Sequence, residues 1–141
     1  MFLDASVVAA VLLQEEDGPA FLKAMEAARG TLRYSPIVRL EATLALVRKR
    51  VERRGKGPAT AEDFAAATDL VDELLKALEA KEMHITGSMG AEAIRALSIY
   101  GKVVGHPAQL NMGDALSYAC AKAFHVPLLY KGDDFSKTDL A

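Results

Sequence analysis

Cysteine is almost missing from this 141-residue chain and histidine is scarce, with one Cys and three widely spaced His. A lone thiol cannot form an internal disulfide, so nothing implies an oxidising compartment, and Cys120 in the helical-looking "LSYACAKAF" reads as a small core residue. The same scarcity excludes a zinc-ligand set. No apolar run approaches the length a bilayer needs, and the N-terminus carries Asp4 where a signal peptide would be basic. A cytoplasmic protein with no membrane partner is therefore expected. Repeats, low-complexity tracts and linkers are absent too. "GKGP" lacks the strand, spacing and Ser/Thr of a P-loop, and neither "GSMG" nor "GDALS" supplies a nucleophile elbow. What remains is one domain, residues 1–141, 51% hydrophobic and large enough to bury a single core.

Nor is there a strong charge of either sign. A net charge of −2 at first argues against nucleic acid, whose backbone is usually met by clustered Lys and Arg. The distribution matters more than the sum. If four of the 19 acids form one metal site, 17 bases face the remaining 15 acids, and bound cations invert the local field.

The chain alternates short apolar strands with helices. "MFLD" reads as a strand, "ASVVAAVLLQEE" as a helix, and Gly18-Pro19 opens a second helix with Gly30 as its stop. "TLRY" is a second strand. Ser35-Pro36 starts a long helix to about Arg54, with Ile37, Leu40, Leu44, Val47 and Val51 as its core face and the basic "RKRVERR" at its end. Thr60 caps a partner helix whose stripe includes Phe64, Ala67, Leu70, Val71, Leu74 and Leu78, making a helical hairpin. "MHIT" is a weak third strand, followed by a helix ending at Gly101 and an irregular "GKVVGHPAQL". Asn111 caps the last helix, and "VPLLY" is the fourth strand. This alternation predicts an α/β fold with a parallel sheet of four or five short strands and helices on both faces.

In such sheets sites form beyond the carboxyl ends of the strands. Asp4 follows the first strand, and Asp133 and Asp134 follow the last, so a parallel sheet brings them to one edge. Glu41 lies early in the long helix at the border of its apolar stripe, where an unpaired carboxylate loses hydration without compensation. Asp114 sits in the first turn of its helix, where complementing the helix N-terminus is an ordinary role for an acid. Taken singly, Asp4 also suits a strand end or helix cap, and the aspartate pair suits a turn. Their joint location is what suggests a site. Converging carboxylates suit a hard divalent cation, which prefers oxygen ligands and offsets their repulsion.

"FLDAS", "SPIVRLEATLAL", "HPAQLNMGDALSYACAKAF" and "PLLYKGDDFSKTD" occur in an order and spacing that resemble the PIN-domain ribonucleases, and more closely the toxins of VapBC-type toxin–antitoxin pairs. The resemblance covers essentially the whole chain and implies a PIN-like three-layer α/β/α fold. It also implies an endoribonuclease using one or two Mg²⁺ or Mn²⁺ ions, held by Asp4, Glu41, Asp114 and an acid of the last turn. Either Asp133 or Asp134 suits that position; Asp133 is favoured, because Asp134 and Phe135 look like a structural turn. Implied partners are an RNA substrate, a second copy in a homodimer, and a VapB-like antitoxin in a heterotetramer or larger assembly. The antitoxin would use its C-terminal segment to cover the pocket, with the helical hairpin as a possible groove. Arg39, Lys102, His106 and Lys131 neighbour the acids in sequence and are candidate RNA contacts. Few aromatics are available for base stacking, so recognition should rest on backbone and shape. The alternative is a PIN-like module that binds RNA or protein without cleaving it.

Overall fold

Caps and chain breakers set the order of elements. A computed structural model of the protein describes residues 1–55 and 57–140. It contains β1 (Phe2–Leu3), α1 (Ala5–Leu12), α2 (Gly18–Ala27), β2 (Arg33–Tyr34), α3 (Pro36–Arg54), α4 (Ala61–Ala77), β3 (Lys81–Glu82), α5 (Gly87–Tyr100), α6 (Met112–Ala123) and β4 (Leu128–Leu129). Short 3-10 turns occupy Lys102–Val104 and Phe135–Lys137. The Ser35 hydroxyl accepts the Val38 N–H at the start of α3, and Thr60 with Asp63 forms a reciprocal capping box at the start of α4. Asn111 and Asp114 do the same for α6.

All four strands are parallel, in the order β3-β2-β1-β4. The chain builds outward from β1 to β2 and β3, then returns to the other side of β1 for β4. That reversal puts a topological switch point beside β1, where a crevice opens at the carboxyl ends. Phe2 and Leu3 are fully buried, and the Asp4 N–H donates to the Leu129 carbonyl at 3.0 Å. The sheet thus holds the backbone of Asp4 directly. α1 packs with α2, α3 and α4, while α5 packs with α6. A second, smaller core joins Ala96, Leu110 and Tyr118 to Phe135 and so folds the C-terminal turn back onto the body.

Three details depart from the sequence reading. β3 lies at Lys81–Glu82, ahead of "MHIT"; both residues are exposed on an edge strand and carry no apolar signature. Met83 still donates to the Tyr34 carbonyl, but Thr86 caps α5 instead of extending the strand. On α3 the buried stripe is Val38, Ala42, Leu46 and Val47, whereas Leu40 is 51% exposed. On α4 Ala67, Val71, Leu75 and Leu78 are buried, while Phe64 and Leu70 are exposed. In both helices the face turned to the core is offset from the stripe that periodicity alone suggests, and it mixes small residues, Ala42 and Ala67, with leucines, Leu46 and Leu75.

Candidate active site

Asp4 is 6% exposed and both of its carboxylate oxygens are engaged. One accepts the Ser6 N–H at 3.0 Å as the N-cap of α1; the other accepts the Ser117 hydroxyl of α6 at 2.8 Å. Ser117 lies three residues after Asp114, one helical turn along α6, so a single helix presents both the acid and the donor that orients Asp4. These contacts hold the carboxylate at the rim of a cavity of about 270 Å³ lined also by Ala5, Ser6, Ala9, Glu41, Leu44, Ala45, Arg48 and Asp114.

Glu41 reaches this cavity because residue 113 has no side chain. A Cβ on Gly113 would stand 2.6 Å from the Glu41 carboxyl carbon and nearer still to both its oxygens. Burial raises the Glu41 carboxyl to about 7, helped by the charges of Asp4 and Asp114 and opposed by Arg48. Asp114 uses one oxygen to accept the Asn111 N–H at 3.0 Å, completing the capping box. Its carboxyl is pushed up to about 6, again mainly by burial; the Asn111 hydrogen bond lowers it, and the charges of Asp4 and Asp134 raise it. The capping role anticipated for Asp114 is therefore present, and the same carboxyl also faces the acids.

Of the adjacent pair, Asp134 is the residue whose charge reaches Asp114. Asp133 contributes its backbone carbonyl, which accepts the Ser136 N–H at 3.1 Å, while the Asp134 side chain makes no capping bond at the turn it opens. Phe135 is buried as expected.

The rim candidates fare differently. Arg39 is turned to α4, where its guanidinium grips Asp72 through bonds of 2.7 and 2.8 Å. Lys131 pairs with Glu15 and with Asp17, tying the end of β4 to the α1–α2 loop. His106 accepts the Ala108 N–H through Nδ1 and meets the Tyr100 ring edge-on, which is a loop-shaping role. Lys102 is exposed in its 3-10 turn and does not line the cavity. Three contributors escaped the sequence reading: Ser117, Gly113 and Arg48. Ser117 and Arg48 had a helical signal, lying three residues after Asp114 and seven after Glu41. Gly113 had none, because a glycine early in a helix looks only like a weak helix former.

A larger cavity of about 380 Å³ lies between α5 and α6, but its charges satisfy one another: Glu92 pairs with Arg95 and with Lys122. The acid cavity instead gathers three carboxylates, Asp4, Glu41 and Asp114, against a single cation, Arg48. Among the described residues no three carboxylate, imidazole or thiol groups stand close enough to enclose an ion between them. The acid set nonetheless fits a hydrated hard cation, which takes a few carboxylates and keeps several waters. Its donors are all oxygens, and one of them occupies a notch that any larger residue than Gly113 would fill.

The chain is similar to known proteins in sequence and in fold. The PIN domain profile matches residues 1–140. A VapC ribonuclease of Rhizobium meliloti is 45% identical over 140 residues, covering 99% of this chain and 98% of the relative. Ribonuclease VapC42 of Mycobacterium tuberculosis is 31% identical over 140 residues, covering 99% and 96%. Among solved structures, Mycobacterium tuberculosis VapC20, a toxin that cleaves the sarcin–ricin loop, superposes with a TM-score of 0.68 at 15% identity, over 96% of this chain and 92% of that one. The three-layer α/β/α arrangement expected from the sequence is the observed fold.

Proposed function

Because the chain belongs to the PIN-domain family, we propose that it is a metal-dependent endoribonuclease and the toxin of a VapBC-type toxin–antitoxin pair. The observation that carries this reading is the convergence of Asp4, Glu41 and Asp114 from three separate elements on one cavity, with Asp134 acting on Asp114 from the last turn. These four residues hold one or two Mg²⁺ or Mn²⁺ ions, with Asp133 the alternative fourth acid. When bound, such ions supply Lewis acidity for hydrolysis of an RNA phosphodiester.

The chain's own residues organise that chemistry. Ser6 and Ser117 fix the Asp4 carboxylate so that it need not reorganise, and Gly113 admits Glu41. Raised proton affinity at Glu41 and Asp114 marks them as groups that lose protons when a cation enters. No side-chain nucleophile is involved: burial pushes the Cys120 thiol up to about 11 and keeps it inside the core.

Its relatives' names support an RNA substrate and a VapB-like antitoxin. The exposed Phe64 and Leu70 on α4 support a partner surface on the helical hairpin, and a homodimer in the cytoplasm follows from the same reading. No helix among the described residues is long and apolar enough to cross a membrane. Incubating purified protein with a mixed RNA panel in Mg²⁺ or Mn²⁺ tests the proposal, with Asp4→Asn and Asp114→Asn as controls. Cleavage by the wild type alone is expected. Equal inactivity of all three proteins on every RNA, with antitoxin binding retained, would instead leave a non-cleaving PIN-like module.

A further inference from the structure

An RNA strand approaching Asp4, Glu41, Asp114 and Asp134 meets a cluster of negative charge, so the protein needs a cation beside it that is not already committed. Most cations near the acids are committed. Arg39 is held by Asp72, and Lys131 by Glu15 and Asp17. At the basic end of α3, Arg50 and Arg54 both bind the buried Asp63, and Lys49 pairs with Glu52. Arg48 differs. Among the described residues it has no hydrogen-bond or ion-pair partner, and it is the one cation lining the acid cavity. It lies seven residues after Glu41, two turns and about 10 Å along the same helix face, with Leu44 and Ala45 between them forming the cavity wall.

We propose that Arg48 is a substrate-binding residue whose guanidinium grips a backbone phosphate of the RNA strand entering the acid cavity. The proposal rests on the ribonuclease reading. A guanidinium is well matched to a phosphate because it stays charged, its planar fork fits two phosphate oxygens, and it is weakly hydrated. Exposure leaves it free to swing onto the strand, while its base on α3 keeps it in register with Glu41. Its competing role would be a mere counter-charge to Glu41, whose ionised form it favours electrostatically.

The test uses the Asp114→Asn protein, chosen because loss of a proposed metal ligand should stop turnover, and a fluorescein-labelled random-sequence RNA followed by anisotropy across a salt series. Adding Arg48→Ala should weaken binding roughly tenfold and reduce the slope of log affinity against log salt by about 0.7, the value for one phosphate contact on a single strand. Arg48→Lys should keep most of the slope and lose part of the affinity. Manganese affinity, measured separately on Arg48→Ala alone, should stay the same or tighten. Unchanged RNA affinity and slope would overturn the assignment, whatever the manganese result, and leave Arg48 a counter-charge. An equal loss in Arg53→Ala, an α3 cation outside the cavity, would overturn it in favour of a diffuse positive field. If the Asp114→Asn parent bound no RNA at any salt, the ribonuclease reading itself would fall, and the role of Arg48 with it.

Discussion

Gly113→Ala adds one methyl group to the second residue of α6 and should separate function from stability. The new Cβ would lie 2.6 Å from the Glu41 carboxyl carbon, where ordinary contact begins near 3.4 Å. Close packing does not absorb such an overlap, so the carboxyl must retreat by roughly 1 Å or swing away. The obstructing atoms end a flexible side chain, and Gly113 has no left-handed backbone, so alanine meets no strain of its own. Helix propensity even favours alanine, by at most about 1 kcal/mol. Misplacing a catalytic group by 1 Å costs on the order of a hundredfold in rate, which is about 2.8 kcal/mol at 1.4 kcal/mol per decade. The expected variant therefore melts at or above the wild-type temperature, yet binds Mn²⁺ more weakly by calorimetry and loses roughly a hundredfold in RNA cleavage. Wild-type manganese affinity and cleavage would refute the seating of Glu41 against Gly113. A large drop in melting temperature would refute the claim that only a movable side chain stands in the way.

Metal-free protein should lose stability as pH rises from about 4 to about 7: the folded pKa values of Glu41 and Asp114, about 7 and 6, lie above their ordinary 4.5 and 3.8, so the native state binds the extra protons. Thermal melts in EDTA check this, and Glu41→Gln should flatten the profile; Mn²⁺ at a hundred times its Kd should restore about 2.7 kcal/mol near neutral pH. Ser117→Ala removes the hydroxyl that donates to the buried Asp4 oxygen, and should cost about 1–3 kcal/mol in denaturant unfolding. It should also weaken Mn²⁺ binding; wild-type values in both assays would remove Ser117 from the site. Arg39→Ala breaks the clamp on Asp72 between two half-exposed side chains, and should cost about 0.5–1 kcal/mol of stability. RNA cleavage should be unaffected, and a selective rise in KM would return Arg39 to the substrate surface.

Much of the fold was legible because it is written in local chemistry. Ser35-Pro36, Thr60 and Asn111 announce helix starts through side chains that satisfy the first N–H groups, and each caps its helix as expected. The third strand was misplaced because its two residues lie on an exposed edge, where backbone pairing alone defines a strand. The α3 and α4 stripes were misjudged for a related reason. Periodicity reveals that a helix has one buried face, whereas the elements packed around it decide whether Val38 or Leu40 is buried.

For the candidate site, sequence alone determined the acid types, their attachment to strand and helix ends, and the parallel topology that carries those ends to one edge. Tertiary structure decided what each charge faces. Lys131 and Arg39 are drawn off by acids on other elements, and Arg48 is left at the cavity. Gly113 acquires its meaning only when α3 and α6 bring a carboxylate against its Cα. A charge's role depends on its distance to the charges and donors of other segments, and those distances come into being only when the chain has packed.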